Sequence, residues 1–424
     1  MAYQLLAGHL NVYQYLFDTF GNRTLEPVVW APYLPLYYFI EAGWMFVLRL
    51  LRLADAGQWY FDPYWHITNF NRSLLFVKAI YLPFDLGIGY LLTRLVAEKH
   101  RRSVWILWLF SPVSLLVTFM MGQNDIMSAF FVVAAVYFGE KALSSKRETP
   151  DLMPSLAALL LLSLGAGIKS FPILLVLPYS IVLGRNAWRV FLLCSAGIIP
   201  FLVLITPFLR TEAFVKGSLL NPEGQSLLNM SFTNGSSATS VFVMAFTLVI
   251  LYVAYRRKAF LPGTICTLTF VIVALIFLVG AWPFNWFVWL VPFTVLAVAA
   301  KRYLFPLYVV QTAHFLIWTI SWGNLLGAGL FTPIYPNAGG YLALRDLVST
   351  VYPYQKLAGI SYSVFVIALL AMLFAILRPR YVEQILAFST EEMDQTLRES
   401  TLLVPILLLA VLLTATFLFG GPRA

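Results

Sequence analysis

The sequence predicts an all-α polytopic membrane protein, and two observations support that prediction. Hydrophobic residues make up 60% of the chain and charged residues 11%, a composition far from that of a soluble globular protein. From residue 74 onward, apolar runs alternate with short polar connections, and Lys and Arg are concentrated in every second connection. Such runs cross a bilayer as helices, because backbone polar groups in lipid must be hydrogen-bonded within the segment.

We predict about twelve transmembrane helices in one integral membrane domain, 1–424. One long helix over 155–184 would put Arg147 and Arg185 on opposite sides of the membrane. Two short helices that meet at Lys169-Ser170-Phe171-Pro172 keep both arginines on one side, and proline suits the start of the second helix. The predicted segments are 74–95, 104–120, 126–139, 155–168, 171–184, 190–208, 241–255, 261–281, 286–300, 304–322, 357–377 and 402–420.

The net charge of +9 follows this topology. More than half of the 28 Lys and Arg lie in alternate connections, which are therefore predicted to be cytoplasmic. Because the charge has this topological explanation, it does not indicate nucleic-acid binding. The main clusters are 99–102, 141–147, Arg185 with Arg189, 256–258, 301–302, and Arg378 with Arg380.

Residues 1–73 depart from the pattern. The run 33–54 is apolar enough to span a membrane, but its charged residues recur at helical spacing and share one face. Such a helix favours the membrane interface, so we predict two outer-surface helices, 4–20 and 33–54; a membrane-spanning second helix is the alternative. An outer N-terminus needs a preceding helix, so we expect the chain as given to begin after its first transmembrane helix. The charged stripe on the shared face of 33–54 consists of Glu41, Met45, Arg49 and Arg52.

Polar and aromatic residues are predicted to gather at the outer face. The apex Gly122-Gln123-Asn124-Asp125 carries two amides and a carboxylate, although a turn with a helix cap explains part of this composition. Lys169 has no acidic neighbour in sequence, so it either snorkels to the interface or binds an anion such as phosphate. Trp282, Trp286 and Trp289 indicate either an interfacial belt or a surface for carbohydrate stacking.

The rest of the sequence offers few other residues or motifs suited to catalysis or metal binding. Asp85 lies inside an apolar span, where an acid is either functional or paired with a neighbouring helix. The sequence contains no phosphate-binding loop and no paired-histidine zinc motif, and its four histidines lack ligand spacing. Cys194 and Cys266 both lie in apolar spans. Because no Asp-x-Asp occurs either, we predict no cofactor and no essential divalent metal.

Several short motifs follow one another along residues 5–300. They are Gly8-His9-Leu10-Asn11-Val12-Tyr13, Ala31-Pro32-Tyr33-Leu34-Pro35-Leu36-Tyr37, Phe76-Val77-Lys78, Phe84-Asp85-Leu86, Trp108-Leu109-Phe110-Ser111-Pro112, Gly122-Gln123-Asn124-Asp125, Gly167-Ile168-Lys169-Ser170-Phe171-Pro172, and Asn285 to Pro292. Their order resembles the GT-C superfamily of polyprenyl-phosphate-sugar-dependent glycosyltransferases. It is most similar to the bacterial, mannosyltransferase-like family 87, and similar in layout to the dolichyl-phosphate-glucose enzymes of the endoplasmic reticulum.

The resemblance implies a GT-C-type fold and an inverting transfer of a hexose, with mannose expected. The donor would be a polyprenyl-phosphate sugar, and the acceptor a lipid- or glycan-linked group at the extracytoplasmic face. The resemblance also implies a carboxylate in the first outer loop as general base and a cation that stabilises the leaving phosphate. Lys169 matches the lysine at the start of the corresponding short helix, which makes it the phosphate-binding candidate.

The sequence departs from the family in one respect. The base usually lies shortly before the stretch that matches residues 7–13, and positions 1–6 contain no acid. Either the base is missing from the chain as given, or another carboxylate serves: Asp18 first, then Glu26 and Asp125. An inactive or truncated paralogue is one alternative function. A lipid or oligosaccharide transporter is another, although the internal repeats typical of transporters are not evident.

These observations predict a site and its surroundings. We divide the domain into outer helices at 1–73, a GT-C-like module at 74–300 and C-terminal helices at 301–424. The expected partners are the donor, the acceptor and membrane lipids, and we expect a monomer in the plasma (inner) membrane. The catalytic candidates are Asp18 and Asp125, the phosphate-binding candidate is Lys169, and the substrate-binding candidates are His9, Tyr13, Gln123, Asn124, Trp282, Asn285 and Trp289.

Overall fold

The structure is a computed structural model with mostly helical, apolar elements. Six described helices are long and apolar enough to cross a membrane, and five further apolar helices have 10–17 residues. A helical multi-pass membrane protein is therefore confirmed. The count of twelve spans is not, and the predicted helix at 402–420 lies outside the described residues. The structure describes residues 2–20, 33–54, 70–145, 149–220, 225, 230–234, 237–257, 260, 262–280, 282–323 and 343–377.

From residue 70 onward the helices follow the predicted segments closely, whereas the predicted single helix 4–20 is two helices separated by residues 7–11. The first part contains α1 Ala2–Leu6, α2 Val12–Phe20, α3 Pro35–Leu50, α4 Phe70–Lys78, α5 Tyr81–Leu95, α6 Glu98–Leu109, α7 Pro112–Ser114 with a π-helical turn Leu115–Met120, α8 Asp125–Leu143, α9 Leu152–Ala166, α10 Ile173–Gly184 and α11 Ala187–Ile205. After a 3-10 turn Thr206–Phe208, the chain continues with α12 Glu212–Phe214, a π-helical turn Val215–Leu219, β1 Ser231–Asn234, β2 Ser237–Ser240, α13 Val241–Arg256, α14 Thr264–Val279, a 3-10 turn Phe284–Trp286, α15 Phe287–Ala300, a 3-10 turn Arg302–Leu304, α16 Phe305–Ile320, α17 Leu344–Ser349 and α18 Tyr354–Ile376.

The helices differ in how deeply they lie in the bundle. Nearly every residue of α14 and α15 is buried, whereas α11 exposes large apolar side chains such as Trp188 and Val203. A helix that is apolar all round belongs in a protein core or in lipid. Helices α14 and α15 therefore form the centre of the bundle, and α11 lies where lipid would cover it. One core cluster extends from Val12 to Leu377, but the three-part division of the domain stays a prediction.

Several of the basic connections are joined at one end of the bundle. Arg189 donates to the carbonyl of Pro150, and Arg185 donates to the carbonyl of Phe260. Beside them, Glu140 in the last turn of α8 accepts hydrogen bonds from the first backbone N–H groups of α14. The connections that carry these arginines therefore lie at the same end, as the charge pattern predicts.

The two turns at the opposite end lie at the predicted positions. Helix α9 ends at Ala166 and α10 begins at Ile173, which confirms two short helices meeting at 169–172. The apex before α8 is also confirmed: Gly122 has a φ of +73°, which favours glycine, and a Cβ there would lie 2.9 Å from Lys78 Cε. These turns bring the polar residues of both connections to one end.

The N-terminal helices differ from the predicted arrangement. Met45, expected on a charged face, is buried together with Ala2 and Ala42, because α1 packs on that side of α3. The backbone N–H groups of Leu34 and Leu36 donate to the carbonyls of Ile168 and Gly167. The start of α3 is therefore attached to the turn that carries Lys169, while its location at a membrane surface stays a prediction.

A short β-hairpin lies in the connection predicted only as a polar loop. Strands β1 and β2 pair antiparallel, with Ser231 opposite Ser240. Asn234 pairs with Ser237, so the sequence between the strands is Gly235-Ser236, and glycine at the first of two turn positions favours a tight hairpin. The all-α class is retained, with this one hairpin in a polar connection.

Candidate functional site

Three predicted site residues from separate parts of the chain meet at one end of the bundle. Asp125 is the first residue of α8, Lys169 lies in the turn before α10, and Asn285 lies in the 3-10 turn before α15. Asn285 Nδ2 donates to Asp125 Oδ2 at 2.7 Å, and Lys169 Nζ lies 3.8 Å from Asp125 Oδ1. We call these three residues the polar cluster.

The polar cluster is largely removed from solvent. The Asp125 side chain is fully buried and that of Lys169 is 13% exposed. A buried carboxylate is costly unless a charge or hydrogen bonds compensate it, and the ammonium supplies that charge. The separation of 3.8 Å is nevertheless too long for a hydrogen bond. Within the described part of the chain, Asp125 Oδ1 has no hydrogen-bond partner, so the cluster retains hydrogen-bonding capacity.

The polar side chains of the apex do not cap α8. Asn124 occupies the N-cap position, but its side chain accepts no hydrogen bond from the helix. It is buried, and among the described residues neither polar atom of its amide has a hydrogen-bond partner. The turn-and-cap interpretation therefore explains the backbone of the apex and leaves its amide and carboxylate side chains unexplained.

Tyr33 covers the polar cluster from the start of α3. Lys169 Nζ lies 4.5 Å from the centroid of the Tyr33 ring, a favourable cation–π geometry. The Tyr33 hydroxyl donates to Gln123 Oε1 at 3.0 Å, and its backbone carbonyl accepts from the Tyr13 hydroxyl at 2.8 Å. Burial raises the pKa of Tyr13, so that hydroxyl stays neutral and donates. Tyr13 thus acts on the cluster through Tyr33. The sequence analysis quoted Tyr33 within a motif but did not select it as a candidate site residue.

The predicted tryptophans separate into two groups. Trp289 stacks on Phe171, two residues after Lys169, with centroids 3.9 Å apart, and on Trp286 at 4.6 Å. The indole nitrogens of Trp286 and Trp289 are buried, and no described group accepts from them. Trp282 lies elsewhere: its Nε1 donates to the carbonyl of Phe277, and its ring lies 5.7 Å from that of His314. Only the first group flanks the Lys169 turn.

Asp18 and His9 lie on the exposed part of the N-terminal segment. Asp18 accepts a hydrogen bond from Gln14 of the same helix at 2.7 Å. His9 is exposed and stacks on Tyr15, with ring centroids 3.9 Å apart. Asn11 caps α2 and donates to Thr211 Oγ1 at 2.9 Å, which ties this helix to the start of α12. Asp18 lies on this helix and His9 just before it, and no hydrogen bond or ring contact within the described residues joins either of them to the polar cluster.

Asp85 has a structural partner. Its carboxylate accepts from the Ser114 hydroxyl at 2.6 Å, and its backbone carbonyl accepts from Trp108 Nε1 at 2.9 Å. Of the two interpretations of this intramembrane acid, the contacts favour pairing with a neighbouring helix.

No group of three or more His, Cys, Asp or Glu able to hold a metal occurs in the ranges that the structure describes. The metal requirement stays a prediction.

The chain is thus a multi-pass helical membrane protein. One end of its bundle holds the Asp125–Lys169 pair, in which one carboxylate oxygen has no hydrogen-bond partner among the described residues. The family model of glycosyltransferase family 87 matches residues 84–288, a range that contains Asp125, Lys169 and Asn285. This match confirms the resemblance to that GT-C family, which is a family of glycosyltransferases. No curated protein and no solved structure matches the chain.

Proposed function

We propose that the chain is an inverting glycosyltransferase that moves a hexose, expected to be mannose, from a polyprenyl-phosphate donor to a lipid- or glycan-linked acceptor. The observation that supports this most is the polar cluster, which lies within the region matched by family 87. A polyprenyl chain remains in the lipid, so its phosphate is met where the helices of a bundle end. The cluster lies at such an end.

Lys169 is suited to bind the donor phosphate. An ammonium has three donors, and the contact to Asp125 at 3.8 Å occupies none of them as a hydrogen bond. Helix α10 begins four residues later at Ile173, and its N-terminal dipole also favours an anion. A cation at this position would stabilise the charge that develops on the phosphate as it leaves.

Asp125 is better suited to hold Lys169 than to remove a proton. In an inverting displacement, the base and the leaving phosphate lie on opposite sides of the anomeric carbon. A carboxylate 3.8 Å from the phosphate-binding ammonium would therefore lie on the side of the leaving group. We assign Asp125 this positioning role and assign proton abstraction to Asp18, which is exposed on the helix whose Tyr13 contacts Tyr33.

The remaining candidates are suited to contact the sugar. Asn124 and Gln123 present amides beside the cluster, and sugar hydroxyls can supply the partners that the Asn124 amide lacks among the described residues. The buried Nε1 of Trp289, which has no acceptor among the described residues, lies next to the Lys169 turn and can donate to a sugar hydroxyl. We propose no requirement for a metal, because Lys169 supplies the positive charge that a divalent ion would otherwise bring.

The orientation in the membrane is also a proposal. The polar cluster and the basic connections lie at opposite ends of α8, whose last turn holds Lys141. Because cytoplasmic loops carry the excess of Lys and Arg, the basic end would face the cytoplasm. The cluster would then act at the extracytoplasmic face of the plasma (inner) membrane, in a monomer.

The test is an assay of purified protein in detergent with polyprenyl-phosphate mannose or polyprenyl-phosphate glucose and a mixture of extracted membrane lipids and glycans. Release of polyprenyl phosphate and transfer of labelled sugar are measured together. Lys169→Met is expected to lower turnover by about a thousandfold, as loss of one charge-stabilising group does in other enzymes. The matched control is Lys216→Met, which removes an exposed lysine paired with Glu212.

The variants separate the two roles proposed for the carboxylates. Asp18→Asn is expected to lower the maximal rate and leave the donor KM unchanged, whereas Asp125→Asn is expected to raise the donor KM. Absence of release and of transfer by the wild-type protein with either donor would contradict the proposed function. Movement of labelled lipid or oligosaccharide across proteoliposomes without sugar donor would support a transporter instead.

A further inference from the structure

A cavity lies in the C-terminal half, outside the polar cluster. Its volume is 780 Å³, within the range of about 300–1,000 Å³ that is typical of sites for small molecules. It lies between the ends of α14 and α16 and the start of α18. The residues that the argument uses are Trp282, His314, Trp318, Arg345, Tyr354 and Tyr362.

The hydrogen bonds of His314 indicate which of its nitrogens is left without a partner. The Ser361 hydroxyl donates to the carbonyl of Ala358, so its proton is already engaged. The tautomer that satisfies both contacts carries its proton on His314 Nδ1, 2.9 Å from that hydroxyl oxygen. In the neutral imidazole this leaves Nε2 as an acceptor. His314 is 2% exposed, and none of the described groups is a partner of Nε2.

A donor complements this acceptor in the same cavity. Trp318 Nε1 is buried, and within the described ranges no group accepts its hydrogen. The tyrosine hydroxyls are occupied instead: that of Tyr354 donates to Ile317 and that of Tyr362 to Phe277. The cavity therefore combines one unfilled acceptor and one unfilled donor with the aromatic faces of Trp282 and Tyr362.

This combination fits a saccharide. A sugar hydroxyl can donate to His314 Nε2, another can accept from Trp318 Nε1, and the C–H face of the ring can pack on an indole or a phenol. A purely apolar ligand, such as an acyl chain, would leave both nitrogens buried without partners. Arg345 is about half exposed and donates to the carbonyl of Ser321, so it adds a polar group at the edge.

The cavity and the polar cluster share one short segment. Trp282 lines the cavity, and Asn285, three residues later in the same connection, donates to Asp125. The 3-10 turn Phe284–Trp286 therefore connects the cavity lining to the polar cluster along the chain. We propose that this cavity binds the saccharide of the acceptor, an inference that rests on the proposed glycosyl transfer.

The experiment is photo-labelling of the full chain in detergent. The probes are octyl mannoside and octyl glucoside that carry a diazirine, and labelled peptides are mapped by mass spectrometry. At least one probe is expected to label 310–322 or 354–362 and to be displaced by excess unlabelled octyl glycoside, but not by octyl glycerol. Trp318→Phe and His314→Phe are each expected to weaken labelling about tenfold, as the loss of one buried hydrogen bond predicts.

The control is Trp322→Phe, because Trp322 packs on Phe284 and does not line the cavity. It is expected to label as the wild type does, and each variant is checked for monodisperse elution. Displacement by octyl glycerol as effectively as by octyl glycoside would overturn the inference in favour of an acyl-chain site. Absence of label from these peptides with both probes, or unchanged labelling of both cavity variants, would also overturn it.

Failure of the proposed function gives a different pattern. Lys169→Met is expected to keep the labelling because Lys169 does not line the cavity. Sugar-dependent labelling without any turnover of the wild type would retain a saccharide-binding cavity and reject the transfer reaction. Turnover without sugar-dependent labelling would retain the transfer and reject this cavity as the acceptor site.

Discussion

Helix α8 carries a buried acid near each end, and the two acids differ in how fully their oxygens are satisfied. Glu140 accepts hydrogen bonds from the backbone N–H groups of Gly263 at 2.5 Å and Cys266 at 2.8 Å. Asp125 accepts one from Asn285, and its other oxygen faces Lys169 beyond hydrogen-bonding distance. Glu140 is thus explained by the fold, because it caps α14, whereas Asp125 retains capacity for a ligand-binding role.

The difference teaches that burial alone does not identify a functional acid. Both side chains are fully buried and both belong to an apolar helix. Buried polar groups are normally hydrogen-bonded, so the exception requires an explanation. Beside Asp125, both polar atoms of the Asn124 amide also lack a partner among the described residues. Within α8 and its N-cap, the atoms without partners belong to Asn124 and Asp125 and none to the Glu140 end, which favours the Asp125 end as the place where substrate binds.

Among substitutions of the buried acids, the largest expected effect comes from Asp125→Asn. The amide keeps the shape and the contact to Asn285 but no longer attracts the Lys169 ammonium. We expect donor turnover to fall about a hundredfold at subsaturating donor, as loss of a charge-assisted contact predicts. Initial rates measured over a range of polyprenyl-phosphate mannose test this.

Thermal unfolding in detergent is the control for that variant, since its midpoint should change little. Turnover within twofold of wild type, with an intact midpoint, would place the essential chemistry away from Asp125. The unfilled oxygen of Asp125 would then no longer distinguish it as a functional acid from the structural acid Glu140.

The next largest effect is on stability and comes from Glu140→Ala. The substitution leaves the N–H groups of Gly263 and Cys266 buried without their acceptor, at a cost of about 2–3 kcal/mol. We expect a clear fall in the thermal midpoint, while turnover per folded molecule stays near that of wild type. A midpoint equal to that of wild type would show that this cap contributes nothing.

The sequence predicted the helices and part of the site for identifiable reasons. Lysine and an amide–carboxylate apex are conspicuous in apolar surroundings, so Asp125 and Lys169 could be found before the fold was known. Charge parity located the turn at 169–172 because a single long helix would have placed basic residues on both sides. These inferences need only periodicity and charge.

Contacts between distant segments could not be predicted in this way. Tyr33 covers Lys169 from a segment far away in the chain, and no local pattern identifies such a pair. Met45 was misplaced because a charge stripe does not reveal that α1 packs on it. The separation of Trp282 from Trp289 depends on a 3-10 turn that rotates the chain between them.

A smaller effect is expected from Tyr33→Phe. This change removes the hydrogen bond to Gln123 but keeps the ring over Lys169, so the donor KM should rise about fivefold, as one hydrogen bond predicts. Tyr33→Leu also removes the cation–π contact and should raise the KM further. Equal donor KM values for wild type and both variants would contradict a role of Tyr33 at the polar cluster.

The smallest effect is expected from Asp85→Asn, which tests a third buried acid outside α8. The amide oxygen can still accept from Ser114, and Asp85 has a partner that satisfies it within the fold. We therefore expect turnover within about twofold of wild type and a stability change of about 1 kcal/mol, the scale of one hydrogen bond. Turnover and the thermal midpoint are measured on the same preparation. A large loss of turnover with an unchanged midpoint would mean that a satisfied acid also serves the reaction, so that hydrogen-bond satisfaction would no longer separate structural from functional acids in this bundle.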